Sequence, residues 1–290
     1  MYNSNNSINN CIFSTHATLN ITHANRCLFS LLSLQTEPVA WDNFIIYNSH
    51  AGELSNDSIL NILSEYLETS QSTIDNILIF PYDECDLKKT LTQDLTVWFK
   101  LLVDNKFNVP GKTLFLKSDY MLSKNFNEIF NKTNKTNYIW SLPIYNAKQK
   151  VSYADILNKL NQPAFIPIDT DTYYRGGSNY PITPKEEISP NNEMDYHESI
   201  KFVSHNIVHD YNLHVFSNDV LELANTVTGV MYKDATWGGC IELFRALNSK
   251  GIKYLPEIRA YGVHMYHDII SKNRTQDRTD SRKVVPGERY

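Results

Sequence analysis

The sequence has no pair of cysteines at metal-ligand or redox spacing. Its four cysteines, Cys11, Cys27, Cys85 and Cys240, are scattered. They read as reduced, packed thiols, which implies a cytoplasmic protein (host cytoplasm, if the source is viral). The polar start, Met1 to Asn10, lacks the basic and apolar regions of a signal peptide. No apolar run approaches membrane-spanning length, so no membrane insertion is expected. There is also no excess of positive charge. A net charge of −5 argues against non-specific nucleic-acid binding by the body of the protein. Internal repeats and long low-complexity runs are absent too. What remains is an ordinary globular composition, in a chain of 290 residues that is long enough to bury a proper core.

Short apolar runs alternate with amphipathic stretches along the first half. Strands are expected at Cys11–Thr15, Phe44–Tyr47, Asn76–Phe80 and Thr113–Leu116. Helices are expected over Ala24–Leu34, after the N-capping residues Ser55 to Ser58, and over Thr90–Val103. This alternation predicts a doubly wound, mostly parallel sheet with helices on both faces. The second half is less regular. Strands are expected at Tyr138–Leu142, Ala164–Ile168, Tyr211–Phe216, Ile252–Leu255 and Ile258–Val263. Helices are expected over Met194–Val208, Asp219–Val227 and Ile241–Asn248, the last ended by Gly251. Ser178 to Glu193, rich in Pro, Asn and Ser, reads as loop.

The stretch from Gly111 to Ser123 organises this pattern. Its strand empties into Lys117-Ser118-Asp119, and open α/β sheets place ligand chemistry at the C-terminal ends of strands. The plainer reading of Asp119 is a strand-end cap. Asp169-Thr-Asp171, after an apolar strand, is a second acidic candidate, and Arg175-Gly-Gly177 is a weak anion cradle. Lys89 and Asp94 flank the start of the helix before the central strand and fit a solvated face.

Five features in order resemble glycosyltransferases of the GT-A fold, in particular the family-2-like group. They are Phe13-Ser-Thr-His16 with Cys27-Leu-Phe-Ser-Leu-Leu32; Ile46-Tyr-Asn-Ser-His50; Leu116-Lys-Ser-Asp119; Trp237-Gly-Gly-Cys-Ile-Glu-Leu-Phe-Arg245; and Gly251 with Tyr254-Leu-Pro256, followed by His264 and His267. The third lies where the family has its DxD motif, with Asp119 as the second acid. The departures are Lys117 in place of the first acid, and Cys240-Ile241 where an acid pair is usual.

The resemblance implies a GT-A-like fold with a smaller C-terminal acceptor-side subdomain. Its expected divisions are a polar segment 1–10, a donor-binding half 11–145, an acceptor-side half 146–270 and a basic tail 271–290. It implies transfer of a sugar from a nucleotide-sugar donor, UDP-sugars favoured, to a hydroxyl of a glycan, a protein or a hydroxymethylated DNA base. The Asn-, Ile- and Lys-rich composition suggests an AT-rich genome, such as that of a phage or large virus. Donor contacts are expected from Thr15, His16, Asn48, Lys117, Ser118 and Asp119. Mn²⁺ or Mg²⁺ is expected on Asp119 with His264 or His267, because a hard cation stabilises a leaving diphosphate. Lys117 offers a fixed positive charge that partly replaces that metal. Glu242 is the expected proton acceptor, with Asp234 in reserve, although an acid near a helix N-terminus is stabilised there without any catalysis. Trp237, Gly238 and Gly239 are the expected acceptor contacts. A non-catalytic nucleotide- or sugar-binding protein on the same scaffold is the alternative. A nucleotidyltransferase ranks lower, since Thr15 to Ala24 has no Gly-rich basic loop.

Overall fold

A computed structural model describes residues 7–15, 23–34, 37–48, 55–81, 93–107, 109–118, 120–133, 136–141, 144–147, 152–160, 173–174, 213–231, 246–256, 260 and 262–265. The first half alternates as expected. Strand β1 is Ile8–Ser14, helix α1 His23–Leu32, β2 Ala40–Asn48, α2 Asn56–Ser70, β3 Thr73–Pro81, α3 Gln93–Asp104 and β4 Gly111–Lys117. There follow β5 (Tyr120–Leu122), α4 (Phe126–Lys132), β6 (Tyr138–Ser141), β7 (Ile144–Ala147), α5 (Tyr153–Leu160) and β8 (Tyr173–Tyr174). The remaining elements are β9 (Leu213–Ser217), α6 (Asp219–Met231), β10 (Lys253–Pro256) and β11 (Gly262–His264). The expected strand Ala164–Ile168, loop Ser178–Glu193 and helix Met194–Val208 lie outside the described residues.

Seven strands form the central sheet in the order β10-β6-β9-β4-β1-β2-β3. Only β9 runs antiparallel, paired with β4 on one side and β6 on the other. From β1 the chain moves outward to β2 and β3, then returns to place β4 on the other side of β1. Right-handed crossovers then require helices on opposite faces of the sheet. The packing shows them there. Cys11, Phe13, Phe44, Leu114 and Leu116 pack with Cys27 and Leu31 of α1, Ile59 and Leu63 of α2, and Phe130 of α4. The alternate residues Ile12, Ile45 and Phe115 pack with Trp98, Phe99 and Leu102 of α3 and Val220 and Leu221 of α6. Both layers are apolar, so each buried strand reads as a continuous hydrophobic run. The expected doubly wound, mostly parallel sheet with helices on both faces is the observed architecture.

A smaller four-stranded sheet, β5-β11-β7-β8, stands beside it. Its core joins Met121, Val263 and Met265 to Ile156 and Leu160 of α5, with Phe29 and Tyr153 against them. Its strands come from widely separated stretches of chain, and β9 and β10 from the second half complete the central sheet. The short elements β5, α4, β7, β8 and α5 carry little sequence signal of their own.

Local chemistry explains the element ends. Ser55 caps α2 as its sequence predicts, its hydroxyl accepting from the Ser58 N–H at 3.2 Å. At the entry to β4, Gly111 has φ 144°, and a Cβ there would stand 1.9 Å from the Ile8 carbonyl oxygen. Glycine is therefore the only residue that lets β4 start this close to β1. The flanking Pro110 carbonyl accepts from Ile8 N–H at 2.8 Å, and the Gly111 carbonyl accepts from Asn218 N–H at 2.9 Å.

A row of polar side chains crosses the same end of the sheet. Asn76 donates to Asn43 Oδ1 at 3.1 Å, Asn43 to Asn10 Oδ1 at 2.8 Å, and Asn10 to Thr113 Oγ1 at 3.1 Å. Thr113 donates to Asn218 Oδ1 at 2.6 Å, and Asn218 to the Ile8 carbonyl at 3.1 Å. The row links β3, β2, β1, β4 and the turn after β9. Asn43→Ala should lower unfolding stability by about 1–3 kcal/mol, because it strands the buried amide oxygen of Asn10, whereas the exposed Asn76 turns to water. Urea titration reads this directly, and a change near zero would show that the row bears no load.

Lys112, 3% exposed, donates its ammonium to the Phe130 carbonyl of α4 and lies 4.5 Å from the Phe130 ring centroid. Burial pulls its pKa down from 10.5 to about 8. Between these values the unfolded chain binds the proton and the folded one does not, so stability rises with pH across that window. From about pH 9 the buried Cys11 thiol, and above about pH 10 the buried Tyr66 and Tyr138 hydroxyls, oppose this trend, because burial holds them protonated in the fold. The Lys112 contribution is therefore read as a difference: from pH 8 to 10 the wild type should gain roughly 2 kcal/mol relative to Lys112→Met. Parallel pH profiles of the two proteins would assign the window to another group.

Candidate functional site

The switch in winding direction falls between β1 and β4. Doubly wound sheets bind their ligands at such a switch point, outside the C-terminal ends of the strands. Register brings three side chains into one row at this edge, since Ser14 is paired with both Tyr47 and Lys117. All three belong to the α3 side of the sheet by strand alternation, and each is 1% exposed. The Lys117 ammonium stands 6.0 Å from the Trp98 ring centroid of α3, and Trp98 itself is stacked on Phe115 at 5.2 Å.

The ladder extends one residue past each strand. Thr15 N–H donates to the Tyr47 carbonyl at 3.0 Å, and its hydroxyl donates to the same oxygen at 3.3 Å. Ser118 N–H donates to the Ser14 carbonyl at 2.9 Å. Thr15 and Ser118 are thus held as firmly as strand residues, and both are buried. Helix α1 supports the β4–β5 turn from the other face. Ser33 Oγ accepts from the Leu122 N–H at 2.8 Å and donates to the Ser30 carbonyl at 2.6 Å. Ser30 Oγ in turn donates to the Lys117 carbonyl at 3.5 Å.

Of the residues expected to hold a donor, Thr15, Lys117 and Ser118 are brought together, and the backbone of Asn48 ends the neighbouring β2. His16 and Asp119 lie outside the described residues, as do Asp234, Trp237, Gly238, Gly239, Glu242 and His267. So do Lys89, Asp169, Asp171 and Arg175. The expected helix before Gly251 is described over 246–249, where its end is helical. Its close is glycine-dependent. Gly251 has φ 88°, and Ile252 N–H donates back to the Leu247 carbonyl at 3.1 Å.

The expected metal takes oxygen and imidazole donors. Among the described residues there is no cluster of three or more His, Cys, Asp or Glu. β11 pairs antiparallel with β5, and His264 is the register partner of Tyr120. Tyr120 directly follows Asp119 in the chain. Positions 264 and 120 are therefore strand neighbours, although they lie far apart in the sequence.

Ser14 and Trp98 are the members of the site that motif reading passes over. Ser14 carries no signal beyond its place in a strand, and Trp98 reads as one more inward position of an amphipathic helix. Only the register partnership of Ser14 with Lys117, and the approach of the Lys117 ammonium to the Trp98 ring, mark them.

No family model matches the chain, and no curated protein matches it. Among solved structures, a 4-diphosphocytidyl-2C-methyl-D-erythritol synthase is similar with a TM-score of 0.41 at 8% identity, over 87% of this chain and 90% of that one. The WbbM bifunctional glycosyltransferase gives 0.40 at 10% identity, over 84% of this chain and 37% of that one. The glycosyltransferase GlyE of Streptococcus pneumoniae TIGR4 gives 0.39 at 8% identity, over 97% of this chain and 52% of that one. The chain thus spans about a third of WbbM and half of GlyE.

Removal of the Ser33 hydroxyl tests how the β4–β5 turn is held. Ser33→Ala should cost about 1–3 kcal/mol, since it strands the buried Leu122 N–H. Hydrogen exchange at Leu122 should accelerate more than at Leu114 in the central sheet. Equal acceleration at both would mean that α1 does not brace this turn specifically.

Proposed function

We propose that this chain is a glycosyltransferase that takes a nucleotide-sugar donor at the β1–β4 switch point. The observation that carries this reading is the meeting of Thr15, Lys117 and Ser118 at the adjacent C-terminal ends of β1 and β4. Doubly wound sheets bind their ligands at that position, and Ser14-Thr15 and Lys117-Ser118 belong to two of the motifs that carry the resemblance. UDP-sugars are the favoured donors, and the acceptor is a hydroxyl of a glycan, a protein or a hydroxymethylated DNA base.

In this reading Thr15, His16 and Asn48 hold the nucleoside, while Ser118 and Asp119 face the diphosphate. Asp119 with His264 or His267 would hold Mn²⁺ or Mg²⁺, which adds positive charge where the diphosphate leaves. Glu242 accepts the proton of the acceptor hydroxyl, with Asp234 in reserve, and Trp237 with Gly238 and Gly239 lines the acceptor side. Such a base works only within hydrogen-bond reach of the bound hydroxyl, directly or through one water. A second reading, nucleotide or sugar binding without turnover, draws on one observation. The residue in place of the first DxD acid, Lys117, is 1% exposed.

Release of nucleoside diphosphate from UDP- and GDP-sugars, with and without Mn²⁺, separates the two. Turnover is expected in the wild type. Asp119→Asn and Glu242→Gln should each lose most of it, while Glu242→Gln keeps donor binding, because the change preserves shape and removes basicity. Donor binding without release in the wild type would favour the second reading. Neither binding nor release with any donor would overturn the donor-site assignment.

A further inference from the structure

On the α3 side of the switch point the Ser14 hydroxyl and the Trp98 indole N–H are both buried, and neither has a hydrogen-bond partner among the described residues. Native folds leave few such groups, because each carries a desolvation cost. Here the two adjoin a buried cation. Ser14 is the register partner of Lys117, and the Lys117 ammonium stands 6.0 Å from the Trp98 ring. Ser14 and Lys117 are also the last residues of β1 and β4, so they lie directly beneath Thr15 and Ser118 at the ligand end of the sheet.

We propose that Ser14, Trp98 and Lys117 form an anion site for a phosphoryl group, and that this site engages a diphosphate without a metal ion. The chemistry follows from the groups present. The Ser14 hydroxyl and the Trp98 indole N–H can both donate, and the Lys117 charge beside them favours an anion over a neutral acceptor. They sit on three separate elements, each held by core packing, so they are oriented before any ligand arrives. Lys117 contributes the charge, while Ser14 and Trp98 contribute direction. The identity of the anion as the donor's diphosphate rests on the glycosyltransferase reading; the anion site itself does not.

The test is pyrophosphate binding by calorimetry in EDTA, with UDP in EDTA and UDP with Mn²⁺ as parallel arms. Wild type should bind pyrophosphate without metal. Ser14→Ala should weaken that binding roughly tenfold or more, as expected for one lost hydrogen bond to a charged group. Its melting temperature should be unchanged or higher, because the hydroxyl it removes has no partner in the fold. Lys117→Met should abolish pyrophosphate binding in EDTA while the protein still melts cooperatively. Should that variant fail to fold, the Ser14→Ala pair of measurements decides alone. Absence of pyrophosphate binding by wild type in EDTA, or wild-type affinity in Ser14→Ala, overturns the site. If UDP binds only with Mn²⁺ and pyrophosphate not at all, this inference falls and the donor reading stands. If pyrophosphate binds but UDP does not in either arm, the anion site stands and the donor reading falls.

Discussion

The amide row through Asn76, Asn43, Asn10, Thr113 and Asn218 is the constraint on which the rest of the structure depends. Apolar strands buried on both faces specify burial well and alignment poorly, since a shifted strand still buries hydrophobic residues. A chain of directional bonds across β3, β2, β1 and β4 removes that freedom. A slip of one residue in any strand would break at least one bond and turn a buried amide toward apolar neighbours. Gly111 adds a steric stop at the same end, where no side chain fits against Ile8.

The site at the opposite end inherits this alignment. Asn10 is level with Asn43 and Thr113, so four residues later Ser14 is level with Tyr47 and Lys117. The two ends of the sheet are thus coupled through rigid strands rather than through direct contact. The same strand, β4, also carries a buried lysine on each face. Lys112 is answered by the C-terminal carbonyl of α4 and an aromatic ring. Lys117 lies beneath α3 at the other end of the strand, 6.0 Å from the Trp98 ring centroid.

The second sheet closes the arrangement. β11, from the end of the described chain, is clamped between β5 and β7, and through β5 it reaches the turn that follows β4. That pairing makes position 264 a neighbour of position 120. Just past α1, Ser33 holds β5 through the Leu122 N–H, and Ser30 of α1 reaches the Lys117 carbonyl, so the first helix braces this end of β4 and β5 from the opposite core layer.

By itself the sequence determined the alternation of strands and helices, the faces the helices bury, the cap at Ser55 and the terminating turn at Gly251. These are local: hydrophobic period, capping chemistry and backbone freedom are written in adjacent residues. It also marked Lys117-Ser118 as a strand end worth attention. The tertiary structure decided what depends on residues far apart in the chain. It inserted β9 antiparallel between β4 and β6, built a second sheet from scattered short strands, and joined Ser14, Trp98 and Lys117. A three-residue strand such as β5 has no periodicity to read, and the direction of β9 depends on its neighbours, not on its composition. A serine in a strand becomes part of a site only when another strand brings a lysine level with it, and that register is a property of the whole sheet.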